Sequence, residues 1–138
     1  MPEKSRNVLW QENVSVNLDA ETLARIDLLV DRGVFSGRDA FFSQAAERLL
    51  GEQSGTLEQI EREERTQKRI FFIGVTQLGH KDLQVYRARN EKIRIEGYGI
   101  LILEKDMDDL IRDTVEGISV RGKVFCSERI RKIYLPTY

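Results

Sequence analysis

Apolar and polar positions alternate along residues 13–18, before the spacing changes to that of a helix. Three apolar residues alternate there with three polar ones: Val14, Val16 and Leu18 with Asn13, Ser15 and Asn17. Successive side chains of a β-strand point to opposite faces, so the alternation predicts a half-buried strand with one apolar and one polar face.

Two helices are predicted to follow this strand. Asp19 is a residue type that caps helix N-termini, and Gly33 can adopt the left-handed conformation that ends a helix. Apolar residues between them recur at helical spacing: Leu23, Ile26 and Val30. Ser36, with an acidic residue three positions later, predicts the N-cap of a second helix. The apolar stripe of this helix comprises Phe41, Phe42, Ala45, Ala46, Leu49 and Leu50.

One strand and two helices do not close a core within a single chain. The predicted strand has no sister strand nearby in the sequence, so its backbone groups stay unpaired unless another chain supplies partners. We therefore predict a homodimer or a higher homo-oligomer, with the strand of one copy paired to the strand of another.

The order of strand, helix, glycine turn and helix over residues 13–50 resembles the ribbon-helix-helix family, which includes the Arc and MetJ repressors. The most specific part of the resemblance is the turn from Gly33 to Asp39, with the sequence Gly-Val-Phe-Ser-Gly-Arg-Asp. In that family two strands pair antiparallel across the dimer, and the ribbon enters the major groove of double-stranded DNA. The resemblance implies that the outward-facing residues contact base edges: Asn13, Ser15 and Asn17.

The resemblance also implies phosphate contacts. Backbone amides at the start of the second helix hold a DNA phosphate in the family, which corresponds here to Ser36, Gly37 and Arg38, and a helix N-terminus attracts anions. Lys4 and Arg6 in the N-terminal arm are further candidates for phosphate contact. The first 50 residues nevertheless contain six basic and eight acidic residues, a net charge of −2 that fits weak or accessory DNA binding.

Residues 51–69 are predicted to form a polar connecting helix, a spacer between residues 1–50 and 70–138. Oppositely charged residues recur there at a spacing of four: Glu58 and Arg62, Glu61 and Arg65, Glu64 and Lys68. Leu57 and Ile60 are its apolar anchors.

A short pattern recurs three times in residues 70–138. Its copies are Ile70-x-Phe72-x-Gly74, Ile93-x-Ile95-x-Gly97 and Ile118-x-Val120-x-Gly122. A polar, helix-compatible stretch follows each copy, which predicts strand-helix units that bury their apolar faces by stacking. The predicted class is α+β, with a ribbon-helix-helix unit followed by a small α/β domain of strand-helix repeats. The same string also fits a ferredoxin-like domain of order βαββαβ, with separate strands at 92–96 and 99–104.

The chain has few residues suited to catalysis or metal binding. A ribbon-helix-helix unit with a ferredoxin-like domain resembles the plan of nickel-responsive repressors, but His80 and Cys126 are the single histidine and cysteine. No nucleophile has a plausible base, and Gly97-x-Gly99 lacks the third glycine of a phosphate-binding loop. We predict no enzymatic activity, metal or cofactor. A single cysteine and the absence of a long apolar run predict a cytoplasmic protein outside the membrane.

Two functions remain open from the sequence. The first is a repressor-like transcriptional regulator that binds DNA as a homodimer. Its C-terminal domain would then assemble dimers or receive a signal, such as a small-molecule effector. The second is a non-enzymatic assembly protein that uses the ribbon-helix-helix unit only to dimerise.

Overall fold

A computed structural model describes residues 10–136, and these residues fall into two compact units divided between Gln53 and Ser54. The first unit contains helices α1 (Ala20–Asp31) and α2 (Arg38–Glu52). The second begins with helix α3 (Ser54–Arg65). Strands and helices then alternate: β1 (Arg69–Leu78), α4 (His80–Ala88), β2 (Ile93–Leu103), α5 (Asp108–Thr114), β3 (Val115–Phe125) and α6 (Glu128–Tyr134). The predicted α+β class is confirmed. Within residues 10–136 no helix is both long and apolar enough to cross a membrane.

Both ends of α1 are fixed by the local sequence, as predicted. The Asp19 carboxylate accepts a hydrogen bond from the Thr22 amide at 2.7 Å, and this bond lowers the pKa of Asp19. At the other end Gly33 has a φ of 82°. The Val34 amide donates to the Leu29 carbonyl at 2.9 Å and the Gly33 amide to the Val30 carbonyl at 3.0 Å. This pair of bonds is the Schellman motif that a glycine after a helix makes possible.

The predicted serine cap of α2 is wrong. The N-cap is Gly37, which offers no side-chain bond, and the first helical residue is Arg38. Arg38 Nε and Nη2 donate to Asp27 Oδ1 and Oδ2, both at 2.8 Å, so the first residue of α2 is held against α1. This contact between helices sets the start of α2, and Ser36 stays exposed in the preceding bend.

The strand-helix repeats predicted for the second unit are present, and the ferredoxin-like alternative is wrong. β2 is one continuous strand, and the sheet has the order β1-β2-β3 with both neighbouring pairs parallel. A ferredoxin-like sheet would need β2 split into an antiparallel pair at its glycines. One face of the sheet packs with α4, α5 and α6 around a core that includes Phe72, Leu83, Ile95, Leu101, Met107, Ile111, Ile118 and Ile130.

A row of three glycines crosses the middle of the sheet. Gly74 pairs with Gly99 and Gly99 with Gly122, so the predicted alignment of the second repeat on Gly97 is wrong by two residues. Gly97 is needed for a different reason. A Cβ there would lie 2.4 Å from the Phe72 ring, which occupies the space beside it.

The glycines of the row share a backbone conformation that favours glycine. Their φ angles are 109° at Gly74, 121° at Gly99 and 145° at Gly122. A Cβ on Gly99 would lie 2.1 Å from the Gly74 carbonyl oxygen, and one on Gly122 would lie 1.8 Å from that of Gly99. The strands therefore approach each other at this row more closely than any side chain allows.

The polar helix predicted for the connecting segment is present as α3. Arg65 bonds to Glu61 at 3.5 Å, as the four-residue spacing predicts. Glu64, however, pairs with Arg69 rather than with Lys68, because the helix ends before Lys68. Arg69 also pairs with Glu96 on β2, so the end of α3 is tied to two strands.

Replacing Gly99 by Ala should destabilise the second unit by about 2–5 kcal/mol, because a strained φ and an overlap with the Gly74 carbonyl are added together. Gly33→Ala is the matched control. Its φ is also positive but its Cβ would meet nothing within 4 Å, so we expect a loss of about 1–2 kcal/mol. Urea unfolding followed by circular dichroism measures both. Equal losses would show that the close approach of the strands carries no cost.

The Asp27–Arg38 pair should make the first unit sensitive to acid. The guanidinium of Arg38 lowers the pKa of Asp27 below its ordinary value of 3.8. The stabilisation is therefore present above pH 3.8 and is lost as the pH falls through the lowered pKa. Asp27→Asn should lower the melting temperature slightly at neutral pH, since both side chains are half exposed. The difference from the parent should vanish in acid, and Glu47→Gln on α2, which leaves the Asp27–Arg38 bonds in place, is the control.

Candidate nucleic-acid interface

Residues 11–19, which include the predicted strand, form no hydrogen-bonded secondary structure in the single chain. Their apolar side chains lie in solvent, with exposed fractions of 83% at Val14, 58% at Val16 and 40% at Leu18. A strand forms only where another strand accepts and donates its backbone hydrogen bonds, and residues 10–136 of one chain place none beside this segment. The pairing of this strand between two copies stays a prediction.

The two helices of the first unit also leave apolar side chains in solvent. Within residues 10–53, Ile26 is the one large apolar residue that is buried. The exposed apolar residues of the helices and their turns are Leu28, Leu29, Val34, Leu49 and Leu50. Each valine or leucine side chain that becomes fully buried contributes about 1.5–3 kcal/mol, so this unit has much to gain from a partner surface.

The polar residues of the alternating segment carry neutral hydrogen-bonding groups. Asn13, Ser15 and Asn17 are exposed, and they alternate with the apolar positions. Residues 13–18 contain no charged side chain, whereas Glu12 and Asp19 stand on either side. Amides and hydroxyls of this kind can donate to and accept from base edges.

The predicted phosphate-binding residues lie together at the start of α2. Ser36 is exposed, Gly37 caps the helix and Arg38 opens it. The first amides of a helix have no partners within the helix, and together with the helix dipole they favour an anion. The Arg38 guanidinium is bound to Asp27, which raises the pKa of the arginine. Arg38 thus fixes the position of these amides. The other two predicted phosphate contacts, Lys4 and Arg6, lie outside the described residues.

Carboxylates lie close to most of the arginines in this unit. Arg25 contacts Glu21 at 2.7 Å, and Arg48 approaches Glu52 to 3.8 Å. The Asp27–Arg38 pair adds a third case. Sequence reasoning missed the role of Asp27, because its partner is eleven residues away and only the packing of α1 on α2 brings the two together.

The second unit has an open groove of about 970 Å³ at the carboxyl ends of its strands. In parallel sheets this end is where ligands commonly bind. Charges of both signs line the groove, including Glu104, Asp108 and Arg129. Cys126 lies beside it, and burial raises the pKa of its thiol. Within residues 10–136 no three His, Cys, Asp or Glu side chains are grouped to hold a metal ion.

The sequence as a whole matches a known family. The model of the Ribbon-Helix-Helix transcriptional regulator family matches residues 10–131. No curated protein and no solved structure gives a significant match. The family match extends well beyond residues 13–50 and includes nearly all of the strand-helix unit. The chain therefore belongs to the Ribbon-Helix-Helix transcriptional regulator family.

Proposed function

We propose that this protein is a sequence-specific, repressor-like regulator that binds double-stranded DNA as a homodimer in the cytoplasm. The observation that carries the proposal is the exposed alternation of residues 13–18 in a member of this family. Two copies of this segment would pair antiparallel, and the two-stranded ribbon would enter the major groove. The family description, which names transcriptional regulators, agrees with this role.

Dimerisation would solve two problems of the single chain at once. Pairing the two segments would satisfy backbone groups that have no strand partner in one chain. It would also turn Val14, Val16 and Leu18 toward the helices of the first unit, whose own apolar side chains are exposed. Burial of these side chains would supply the free energy that holds the ribbon together.

The other face of the ribbon would then present Asn13, Ser15 and Asn17 to the bases. Asparagine pairs with the N6 and N7 atoms of adenine, and a serine hydroxyl bonds to either base type. Since a two-fold dimer presents the same residues twice, it would read a palindromic pair of half-sites.

Phosphate contacts would hold the ribbon in register. The amides of Ser36, Gly37 and Arg38, just before and at the start of α2, would receive a phosphate at the positive end of the helix. Lys4 and Arg6 in the N-terminal arm would add charge. Because the first 50 residues carry a net charge of −2, nonspecific affinity should be low, and discrimination would depend on the base contacts.

The strand-helix unit would assemble dimers or receive a signal. Its groove at the carboxyl ends of the strands has room for a small-molecule effector. The alternative function, an assembly protein with a ribbon used only as a clasp, is favoured by the acidic balance of the first 50 residues.

Replacing Ser15 and Asn17 together by Ala should abolish most of the sequence preference and leave the dimer intact, because their side chains face away from the apolar side of the ribbon. Each lost base contact is worth about 1–3 kcal/mol, so the preference for a selected duplex over a random one should fall about tenfold or more. Fluorescence anisotropy with both duplexes, beside the mass in solution, measures this.

The control for this experiment is Ser43→Ala, an exposed serine on α2 outside the ribbon. It should leave both affinities unchanged. Unfolding of the double variant would mean that the strand register is shifted by one residue and the faces are exchanged. A folded parent dimer that binds no DNA at low salt would rule out the DNA-binding regulator and favour the assembly protein, in which the ribbon serves only to dimerise.

Replacing Lys4 and Arg6 by Gln should weaken binding to selected and random duplexes by the same factor, since phosphate contacts carry no sequence information. The slope of log affinity against log salt concentration should become shallower by about two, roughly one for each lost contact. A salt series of anisotropy titrations gives the slope. The control exchanges Lys81 and Lys92 of the second unit for Gln, and an equal change in slope there would assign the effect to overall charge.

A further inference from the structure

The two edges of the parallel sheet are built differently. On β3 the sequence places three charged residues, Glu116, Arg121 and Lys123. Side chains of α6 also bond to its backbone: Tyr134 Oη donates to the Val115 carbonyl at 2.8 Å and Arg131 Nη2 to the Val124 carbonyl at 2.6 Å. Charges and covering side chains are the usual means of protecting a strand edge from further pairing.

The β1 edge lacks these protections over residues 70–78; its charged first residue, Arg69, pairs with Glu64 of α3 and Glu96 of β2. From residue 70 to residue 78 the strand reads Ile-Phe-Phe-Ile-Gly-Val-Thr-Gln-Leu, without a charge. Its backbone hydrogen bonds go to β2 and, at the two ends, to Gln67 and Glu104. No strand of the described sheet borders its other side. A long, apolar edge strand of this kind is a template for pairing with another chain.

Gly74 leaves the middle of this edge open. Its φ is positive, as at Gly99 and Gly122, where an added Cβ would overlap the glycine carbonyl of the preceding parallel strand. A Cβ on Gly74 would meet nothing within 4 Å. Since glycine has no side chain, nothing at this point obstructs the approach of another backbone.

We propose that β1 pairs antiparallel with β1 of a second copy across a two-fold axis, which joins two three-stranded sheets into one of six strands. The protection of β3 disfavours the head-to-tail arrangement, in which β3 of one copy would meet β1 of the next. A two-fold contact uses the same surface on both copies and closes, whereas a head-to-tail contact propagates unless its rotation closes a ring. This contact is separate from the ribbon and goes beyond the proposed binding of DNA.

The test places a charge on the edge. Ile73 lies on β1 with its side chain 49% exposed, and its register partner Tyr98 on the central strand is 55% exposed. Ile73→Lys would bring two like charges together across the axis, whereas Tyr98→Lys would leave the edge untouched. Both are made in the full chain carrying Val14→Asp and Val16→Asp, which removes pairing through the ribbon.

Sedimentation equilibrium of these chains gives the association constants. The ribbon-deficient parent should remain a dimer. Ile73→Lys should weaken its association about tenfold or more, and Tyr98→Lys should change it less than about twofold. An equimolar mixture of Ile73→Lys and Ile73→Glu chains should restore association, because opposite charges then face each other.

Three results would overturn the proposal. These are a monomeric ribbon-deficient parent, equal effects of Ile73→Lys and Tyr98→Lys, and a series of masses above the dimer, which would indicate head-to-tail stacking. If Ile73→Lys does not fold, hydrogen exchange of the ribbon-deficient parent tests the contact between β1 strands instead. Protection of β1 amides should rise with protein concentration while that of β3 stays constant, and no such rise would reject the contact. These association measurements do not test DNA binding. The anisotropy experiment with the Ser15 and Asn17 double variant tests that proposal separately.

Discussion

A β-strand has to share its backbone hydrogen bonds with another strand, and this constraint governs both units of the protein. Residues 11–19 have no strand partner in the single chain, and their apolar side chains stay in solvent. β2 has partners on both sides and carries the best buried residues of the sheet, with Ile95 and Leu101 fully enclosed. A strand with a partner on each side has its backbone hydrogen bonds satisfied within the chain. A strand that lacks a partner can pair with a strand of a second copy.

The sequence predicts helix ends well where the residues that cap the helix are close to it in the chain. Asp19 caps α1 through an amide three residues away, and Gly33 ends it by its own backbone conformation. The strand-helix repeats were also predictable, since each unit shows its apolar pattern within about 25 residues. The start of α2 was not, because Arg38 is positioned by Asp27, a residue of another helix.

The register of the glycine row could not be predicted from the pattern of residues alone. β2 contains two glycines two residues apart, and the repeat on the sequence selects Gly97, because Ile93-x-Ile95 precedes it. Their roles separate only in three dimensions: Gly97 makes space for the Phe72 ring, and Gly99 admits the Gly74 carbonyl. The ferredoxin-like order divided this segment into strands at 92–96 and 99–104, whereas the structure accommodates the positive φ of Gly99 inside one continuous strand. Of the candidate interface, the alternating faces of residues 13–18 stay a prediction from the sequence, and the engagement of Arg38 by Asp27 needed the structure.

The Asp27–Arg38 pair also bears on how a chain with an acidic first unit could hold a phosphate. An arginine bound to a carboxylate contributes little net charge, so the anion would rely on backbone amides, which carry no formal charge and are present whatever the composition. Those amides are useful only if the helix begins at a fixed place. The bidentate bonds of Arg38 to Asp27 provide that fixed place by joining the first residue of α2 to α1. Arg38 would then serve the proposed phosphate site as a positioning residue, and the specificity of the proposed complex would rest on neutral groups throughout: amides for the phosphate, and Asn13, Ser15 and Asn17 for the bases.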